Sequence, residues 1–159
     1  MFTVSMPPMN QDNAMDIFAF LQKQKGSFES FQIKIPLQNR GAEKSSTAVK
    51  VVGSHSATDS TIALDGFSAS TSGVLKAGDL IKFAGHTKVY MVQSDIDSDG
   101  SGAATVLIEP GIVTTLADNE VVTMNQPDIT VYLTSEDIMY SVDRNSIFNI
   151  SFDVREVIT

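Results

Sequence analysis

The chain has 159 residues, 42% of them hydrophobic, a net charge of −8 and no cysteine. Without cysteine the chain has no disulfides, no cysteine-ligated zinc or iron–sulfur site and no cysteine nucleophile, and two histidines are too few to favour a histidine-based metal or acid–base centre. No apolar run approaches the ~18 residues of a membrane span, and residues 1–8 lack the basic and apolar regions of a secretory signal, so neither is expected.

The charge is unevenly distributed along the sequence. Residues 1–50 hold six basic and four acidic side chains, a net charge of +2, whereas the remainder holds five basic and fifteen acidic side chains, a net charge of −10. Nucleic-acid binding depends on lysine and arginine displacing counterions from phosphates. The composition therefore disfavours tight DNA binding, but it is compatible with DNA that passes without adhering.

The first predicted element is a helix over residues 10–25. Asn10 follows two prolines as an N-cap, and apolar residues from Ala14 to Leu21 recur at helical spacing. Lys25 lies in the last turn, and Gly26 is the expected residue beyond the C-terminus.

Period-two alternation predicts strands along most of the remaining chain. The first run covers residues 31–37, where Pro36 indicates an edge or an end. The last covers residues 148–158, and turn sequences such as Asp65-Gly66 separate the strands between them. The fold class is therefore predicted to be mainly β (α+β), with one helix. The remaining predicted strands are 48–52, 61–64, 80–84, 88–93, 104–109, 120–124 and 129–134.

The middle of the chain differs from its ends in composition and in the spacing of its predicted strands. Residues 53–126 contain short, regularly spaced strands and most of the glycine, serine and aspartate, as in a small β-barrel or sandwich. The sequence predicts that residues 1–52 and 127–159 form one discontinuous domain, interrupted by this inserted β-rich module. Insertion into a loop is tolerated because loop-closure entropy rises slowly with loop length.

An acidic loop is the sharpest local motif. Asp95, Asp97 and Asp99, followed by Gly100, imitate the start of a calcium-binding loop. The twelfth position of that motif is Val106 instead of glutamate, and predicted strands flank the loop instead of helices. The tip of a β-hairpin is therefore the favoured interpretation, and calcium at the three aspartates is the alternative; no other metal or cofactor is expected.

No catalytic constellation is found. His55 lies between serines without a strand–turn–helix context, and His86 is expected to decorate a tight turn. Glu136 and Asp137 are adjacent, so on a strand they would point to opposite faces instead of across a substrate groove. The chain is therefore not expected to be an enzyme.

Several pieces, in order, resemble a family of bacteriophage tail proteins. In that family a strand leads into a Leu-Pro-Pro-Met turn, here Met6-Pro7-Pro8-Met9, then into a helix and a glycine-bounded aromatic strand, which here begins at Gly26-Ser27-Phe28. The central part of the chain is also similar, over residues 63–67, 74–83, 88–92, 98–105 and 108–110.

The resemblance implies a distal tail or tail-tip adaptor protein. Members form rings, commonly sixfold, from a tube-like β-sandwich with a helix, and they carry an added β-module. The implied partners are further copies of the chain and the tail tube and hub proteins, with transient passage of DNA. The implied location is the virion tail, assembled in the bacterial cytoplasm.

Two alternatives stay open. The first is that the central module binds a host surface glycan, which exposed aromatic residues would support, although Phe83 and Tyr90 lie within predicted strands. The second is a tail-associated hydrolase, although the sequence shows no set of catalytic residues. For the ring, the candidate interface residues are the apolar side chains of the first and last predicted strands: Phe31, Ile33, Ile35, Phe148, Ile150 and Phe152.

Overall fold

The computed structural model describes residues 1–36, 38–44, 46, 48–135 and 138–158. The fold is mainly β, as predicted, with one α-helix, α1 (Gln11–Lys23), and a short 3-10 helix, Gly26–Phe28. No helix within the described ranges has the length and apolar character needed to cross a membrane. The strands are β1 (Phe2–Ser5), β2 (Ser30–Lys34), β3 (Lys50–Val51), β4 (Thr61–Asp65), β5 (Leu80–Phe83), β6 (Tyr90–Val92), β7 (Ala104–Glu109), β8 (Val122–Thr123), β9 (Asp128–Leu133), β10 (Met139–Val142) and β11 (Phe148–Glu156).

The chain divides into two compact units. The first comprises Met1–Ile33 and Thr130–Val157, and the second comprises Lys34–Ile129 with the last two residues. The predicted module begins at residue 53, whereas the second unit begins at Lys34, because β3 pairs with β4 in the sheet of the second unit. The discontinuous domain of residues 1–52 and 127–159 stays a prediction with these boundaries.

The first unit is built on a five-stranded sheet. The strands follow the order β1-β11-β9-β2, and β10 also pairs with β11. In β11 every second side chain from Phe148 to Val154 is buried and those between them are half-buried or exposed, as its period-two pattern predicts. The predicted run at residues 31–37 ends earlier than expected, since β2 stops at Lys34; Leu37 lies outside the described residues.

The helix starts where the sequence predicts. The side chain of Asn10 accepts a 3.1 Å hydrogen bond from the backbone N–H of Asn13, so it caps the first turn. Ala14 and Leu21 are buried on the predicted apolar face. At the other end the left-handed conformation begins at Lys25 (φ 54°), one residue before Gly26 (φ 63°).

The second unit is a nearly closed barrel. Its six strands follow the order β3-β4-β7-β6-β5-β8. The two edges meet at a bridge between Lys50 and Val121, and Val122 N–H donates to the carbonyl of Val49 at 3.0 Å. A single cluster of buried apolar side chains fills the interior, with Ile62 and Ile108 among them. Closure leaves few unpaired strand edges in this unit.

Candidate assembly surfaces

β11 is the central strand of the first unit. Ser151 pairs with Ser5 of β1 on one side and with Met139 of β10 on the other. Further along, Val154 pairs with Leu133 of β9 on the side that β10 occupies. β1 therefore flanks β11 on one side, while β9 and β10 follow each other along the opposite side.

Most of the predicted interface residues pack inside the chain. The ring of Phe31 lies 5.4 Å from that of Phe20 and 6.5 Å from that of Phe152, centroid to centroid. Ile33 and Ile35 are half-buried. An interface role for these side chains stays a prediction, and the contacts described here are those of a core. The buried four are Phe31, Phe148, Ile150 and Phe152.

Within the described residues, three strands of the first unit lie at an edge of its sheet: β1, β2 and β10. Within the described residues, β1 and β10 each have a strand neighbour on one side only, which is β11. Every residue of β10 is exposed, including Tyr140 at 61% and Met139 at 58%. Neither strand contains a charged residue or a proline, the features that commonly block edge-to-edge pairing.

β10 is absent from the strands predicted from the sequence. Its four residues show no alternation of burial, and pairing with β11 gives them their extended structure. The available signal is the uncharged stretch Met-Tyr-Ser-Val, which ends at Asp143.

One face of this sheet is polar and carries charges of both signs. Because neighbouring strand residues alternate between faces, Thr3 and Ser151 lie on the face opposite to Phe152. The hydroxyl of Thr3 donates a 2.6 Å hydrogen bond to Asp153, which shares the polar face with Arg155. The uncharged polar side chains that β1, β10 and β11 contribute to this face are Thr3, Ser5, Ser141, Asn149 and Ser151.

The three aspartates of the acidic loop point to different partners. Asp95 accepts from the ammonium of Lys76 and the N–H of Ala77, and Asp97 accepts from the N–H of Gly73 at 2.6 Å. Asp99 accepts from the hydroxyl of Ser101 at 2.7 Å and from N–H groups within its own turn. These hydrogen bonds lower the pKa of all three carboxyls.

The same loop connects β6 and β7, which pair as a hairpin. In the part of the chain that the structure describes, no three acidic or histidine side chains gather around a common point. The arrangement is that of a loop tied down by its own carboxylates, and calcium at the three aspartates stays a prediction.

His86 is a buried polar residue of the barrel. Its Nδ1 lies 2.7 Å from the hydroxyl of Tyr90, and its Nε2 lies 3.0 Å from the hydroxyl of Thr114. The Tyr90 hydroxyl also accepts from the N–H of Val113 at 3.2 Å. Burial lowers the pKa of His86, although Glu120 opposes the shift.

The other candidate residues from the sequence either make ordinary structural contacts or lie outside the described residues. His55 accepts from the N–H of Ala63 at 3.3 Å and approaches Asp59 at 3.9 Å. Neither of these two described side-chain contacts of His55 involves a serine hydroxyl. Glu136 and Asp137 are not among the described residues.

Two buried polar residues hold the start of the barrel segment. The side-chain amide of Asn39 donates to the carbonyl oxygens of Leu80 and Met124 at 2.7 Å, and its oxygen accepts from the N–H of Leu80. The carboxylate of Asp79 accepts from the N–H groups of Arg40 and Gly41. We call this set of hydrogen bonds made by Asn39 and Asp79 the clasp. The sequence alone does not predict it, because Asn39 and Asp79 both look like ordinary turn residues.

Comparison with known proteins gives a match to a protein family. The family model described as distal tail protein pb9, B domain, matches residues 39–126, more than half of the chain. The match begins at Asn39 and ends two residues after Met124, so it spans the clasped barrel segment. No curated protein matches the chain. The chain therefore belongs to the phage distal tail protein family that is represented by the pb9 B domain.

Proposed function

We propose that this protein is a non-enzymatic ring component at the distal end of a phage tail, which joins the tail tube to the hub or receptor-binding apparatus and lets DNA pass. Family membership supports a structural role in the tail. The observation that carries the ring is the pair of exposed, uncharged edge strands, β1 and β10, on opposite sides of β11.

A ring follows from edges of this kind. Two different surfaces on opposite sides of one subunit make a head-to-tail contact, and such contacts close when the rotation between copies fits. Closure also removes the edges that would otherwise pair without control. A sixfold ring is the symmetry we propose.

Passage of DNA requires a surface that does not hold phosphates. The polar face of the first unit's sheet carries hydroxyl and amide groups, and its described cations lie near carboxylates: Arg155 is on the same strand and face as Asp153, and the ammonium of Lys34 lies 3.8 Å from Asp128. With a net charge of −8 for the whole chain, no dense set of cations is available to bind the DNA backbone. We therefore assign this polar face to the lumen of the ring, and we do not require the acidic residues of the rest of the chain to line it.

The barrel gives no support for glycan binding. Its described aromatic residues are buried: Phe83 and Tyr90 are 0% exposed, and Phe67 is 6% exposed. Binding surfaces are enriched in accessible aromatic side chains, and the barrel presents none among the residues described. We therefore do not propose the glycan function for this module.

The test is to locate the protein in assembled tails. The full chain, expressed together with the other tail proteins, carries a small tag, and purified tails are imaged by negative stain with an antibody against the tag. Label at the distal end, with a ring and a central hole in averaged images, supports the proposal. A chain that is absent from tails and stays monomeric by light scattering overturns it.

A further inference from the structure

We propose that the contact between neighbouring copies is a parallel pairing of β1 of one copy with β10 of the next, which continues the sheet of the first unit around the ring. The inference rests on the proposed ring and names the surface that closes it. The partner is a second copy of this chain, because the two edges match each other in direction, face, length and charge.

The direction of the strands fits a repeating contact. β1 and β10 both run antiparallel to β11, so they run parallel to each other. When a rotation carries one copy to the next and strand direction is kept, β1 meets β10 of the neighbour as a parallel pair. The same operation then serves every junction.

The faces also agree. Phe2 and Val4 align with Val154 and Phe152 and share their face. Tyr140 aligns with Ile150, on the same face, where its ring lies 5.1 Å from that of Phe18. Across the junction, apolar side chains therefore continue one face. Thr3, Ser5 and Ser141 continue the other face, on which Met139 is the apolar side chain of β10.

The exposed atoms favour this pair of edges over others. β1 and β10 each offer four residues, and neither contains a charge. The outer edge of β2 ends in Lys34 and is preceded by Glu29, so it carries the charges that discourage pairing. Apolar side chains that are exposed in one copy, such as Val142 at 47%, are covered when the edges join.

The two edges are offset along the sheet. β1 pairs with residues 151–154 of β11, whereas β10 pairs with residues 148–151. An offset of three residues amounts to ~10 Å at ~3.3 Å per residue. A closed barrel of strands needs such a stagger, since its strands tilt against the axis.

The test uses the absence of cysteine from the natural chain. Two double variants, Thr3→Cys/Ser141→Cys and Ser5→Cys/Ser141→Cys, place one thiol on each edge, on the same face, and cover the two registers that this face allows. Within one copy the two thiols lie on opposite sides of β11, about 10 Å apart or more at ~4.8 Å per strand. A disulfide needs Cα atoms within ~7 Å, so only a bond between copies can form.

The matched control is Val4→Cys/Ser141→Cys, whose thiols lie on opposite faces. Tails that contain each full-length variant are oxidised and analysed by non-reducing electrophoresis, after thermal melts confirm that the purified variants fold. We expect a ladder of covalent multimers from at least one same-face variant, at least tenfold stronger than from the control. Assembled rings with no ladder, or with an equal ladder from the control, overturn this pairing and leave the proposed ring intact.

A second experiment tests the edge without cysteine. Ser141→Lys adds a charge to β10, and Ala57→Lys adds the same charge to an exposed loop of the barrel. We expect Ser141→Lys to reduce incorporation into tails at least tenfold with an unchanged melting temperature, while Ala57→Lys incorporates normally. Normal incorporation of Ser141→Lys contradicts the pairing, whereas a chain that never enters tails, even unmodified, contradicts the proposed function.

Discussion

The side-chain amide of Asn39 donates a 2.7 Å hydrogen bond to the carbonyl oxygen of Met124, 85 residues further along the chain. Asn39 is 7% exposed, and its other hydrogen bonds reach both backbone groups of Leu80. One side chain therefore holds together the start of the barrel segment, its end and the first residue of β5.

Replacement of Asn39 by alanine should destabilise the barrel. Asn39→Ala leaves the carbonyls of Leu80 and Met124 and the N–H of Leu80 without their partner, and unsatisfied buried groups cost ~1–3 kcal/mol each. We expect a loss of about 3 kcal/mol in the free energy of unfolding, allowing for relaxation. Urea unfolding followed by far-ultraviolet circular dichroism measures it. The exposed neighbour Gln38→Ala is the control, and equal midpoints for the two variants would refute the assignment.

The stability of the barrel should depend on pH through His86. Burial holds the pKa of His86 below its ordinary value of 6.5, so the unfolded chain binds the proton more readily than the folded one. The neutral ring's contribution is therefore complete above pH 6.5 and is lost as the pH falls through the lowered pKa of the folded state.

Melting temperatures between pH 7.5 and pH 5 should decline in the natural chain. This range lies above that of most carboxyl groups, whose ordinary pKa values are about 4. The decline should be smaller in His86→Gln and unchanged in His55→Gln, which removes the other histidine. A decline that persists in full in His86→Gln would show that another group is responsible.

Two glycines with positive φ should respond differently to alanine. Gly66 (φ 90°) and Gly53 (φ 74°) both have the conformation that disfavours a side chain. A Cβ at Gly66 would collide with the carbonyl of Ala48, whereas a Cβ at Gly53 would meet nothing within 4 Å. Gly66→Ala should therefore cost at least ~1–3 kcal/mol more than Gly53→Ala. Chemical unfolding of the two variants compares them directly. Similar losses in the free energy of unfolding would mean that the backbone at Ala48 moves away from the new Cβ at little cost.

The aromatic core of the first unit should matter for folding. Phe152 is 5% exposed and packs against Phe31, whereas Phe28 is 85% exposed. Phe152→Ala should cost about 3–5 kcal/mol because it opens a cavity. Phe28→Ala should change the free energy of unfolding by no more than about 0.5 kcal/mol. Thermal unfolding of the full chain distinguishes the two, and a normal melting temperature for Phe152→Ala would remove this residue from the core.

Local signals in the sequence are enough to place the helix and most of the strands. Asn10 caps its helix because the capping interaction lies within three residues. β7 coincides with its predicted range, since its alternation is regular. The helix ends differently from the prediction because Lys25, and not Gly26 alone, adopts the left-handed conformation.

Residues whose surroundings come from distant parts of the chain cannot be placed in this way. His86 is expected on a turn, and its backbone does follow β5, but its side chain is buried by Tyr90 and by Thr114, which is 28 residues away. Asn39 lies in a loop with no periodic pattern, and its importance depends on Met124. β10 depends on a partner strand for its extended structure, and four uncharged residues alone carry too little information to reveal it.

The bond between Asn39 and Met124 also bears on how such a protein can change over generations. The two points at which the chain enters and leaves the barrel lie within the reach of one side chain. A deletion or an exchange of the segment between them leaves the flanking backbone with nearly the same gap to bridge. A segment exchanged between these two points therefore has to bring its own ends equally close together.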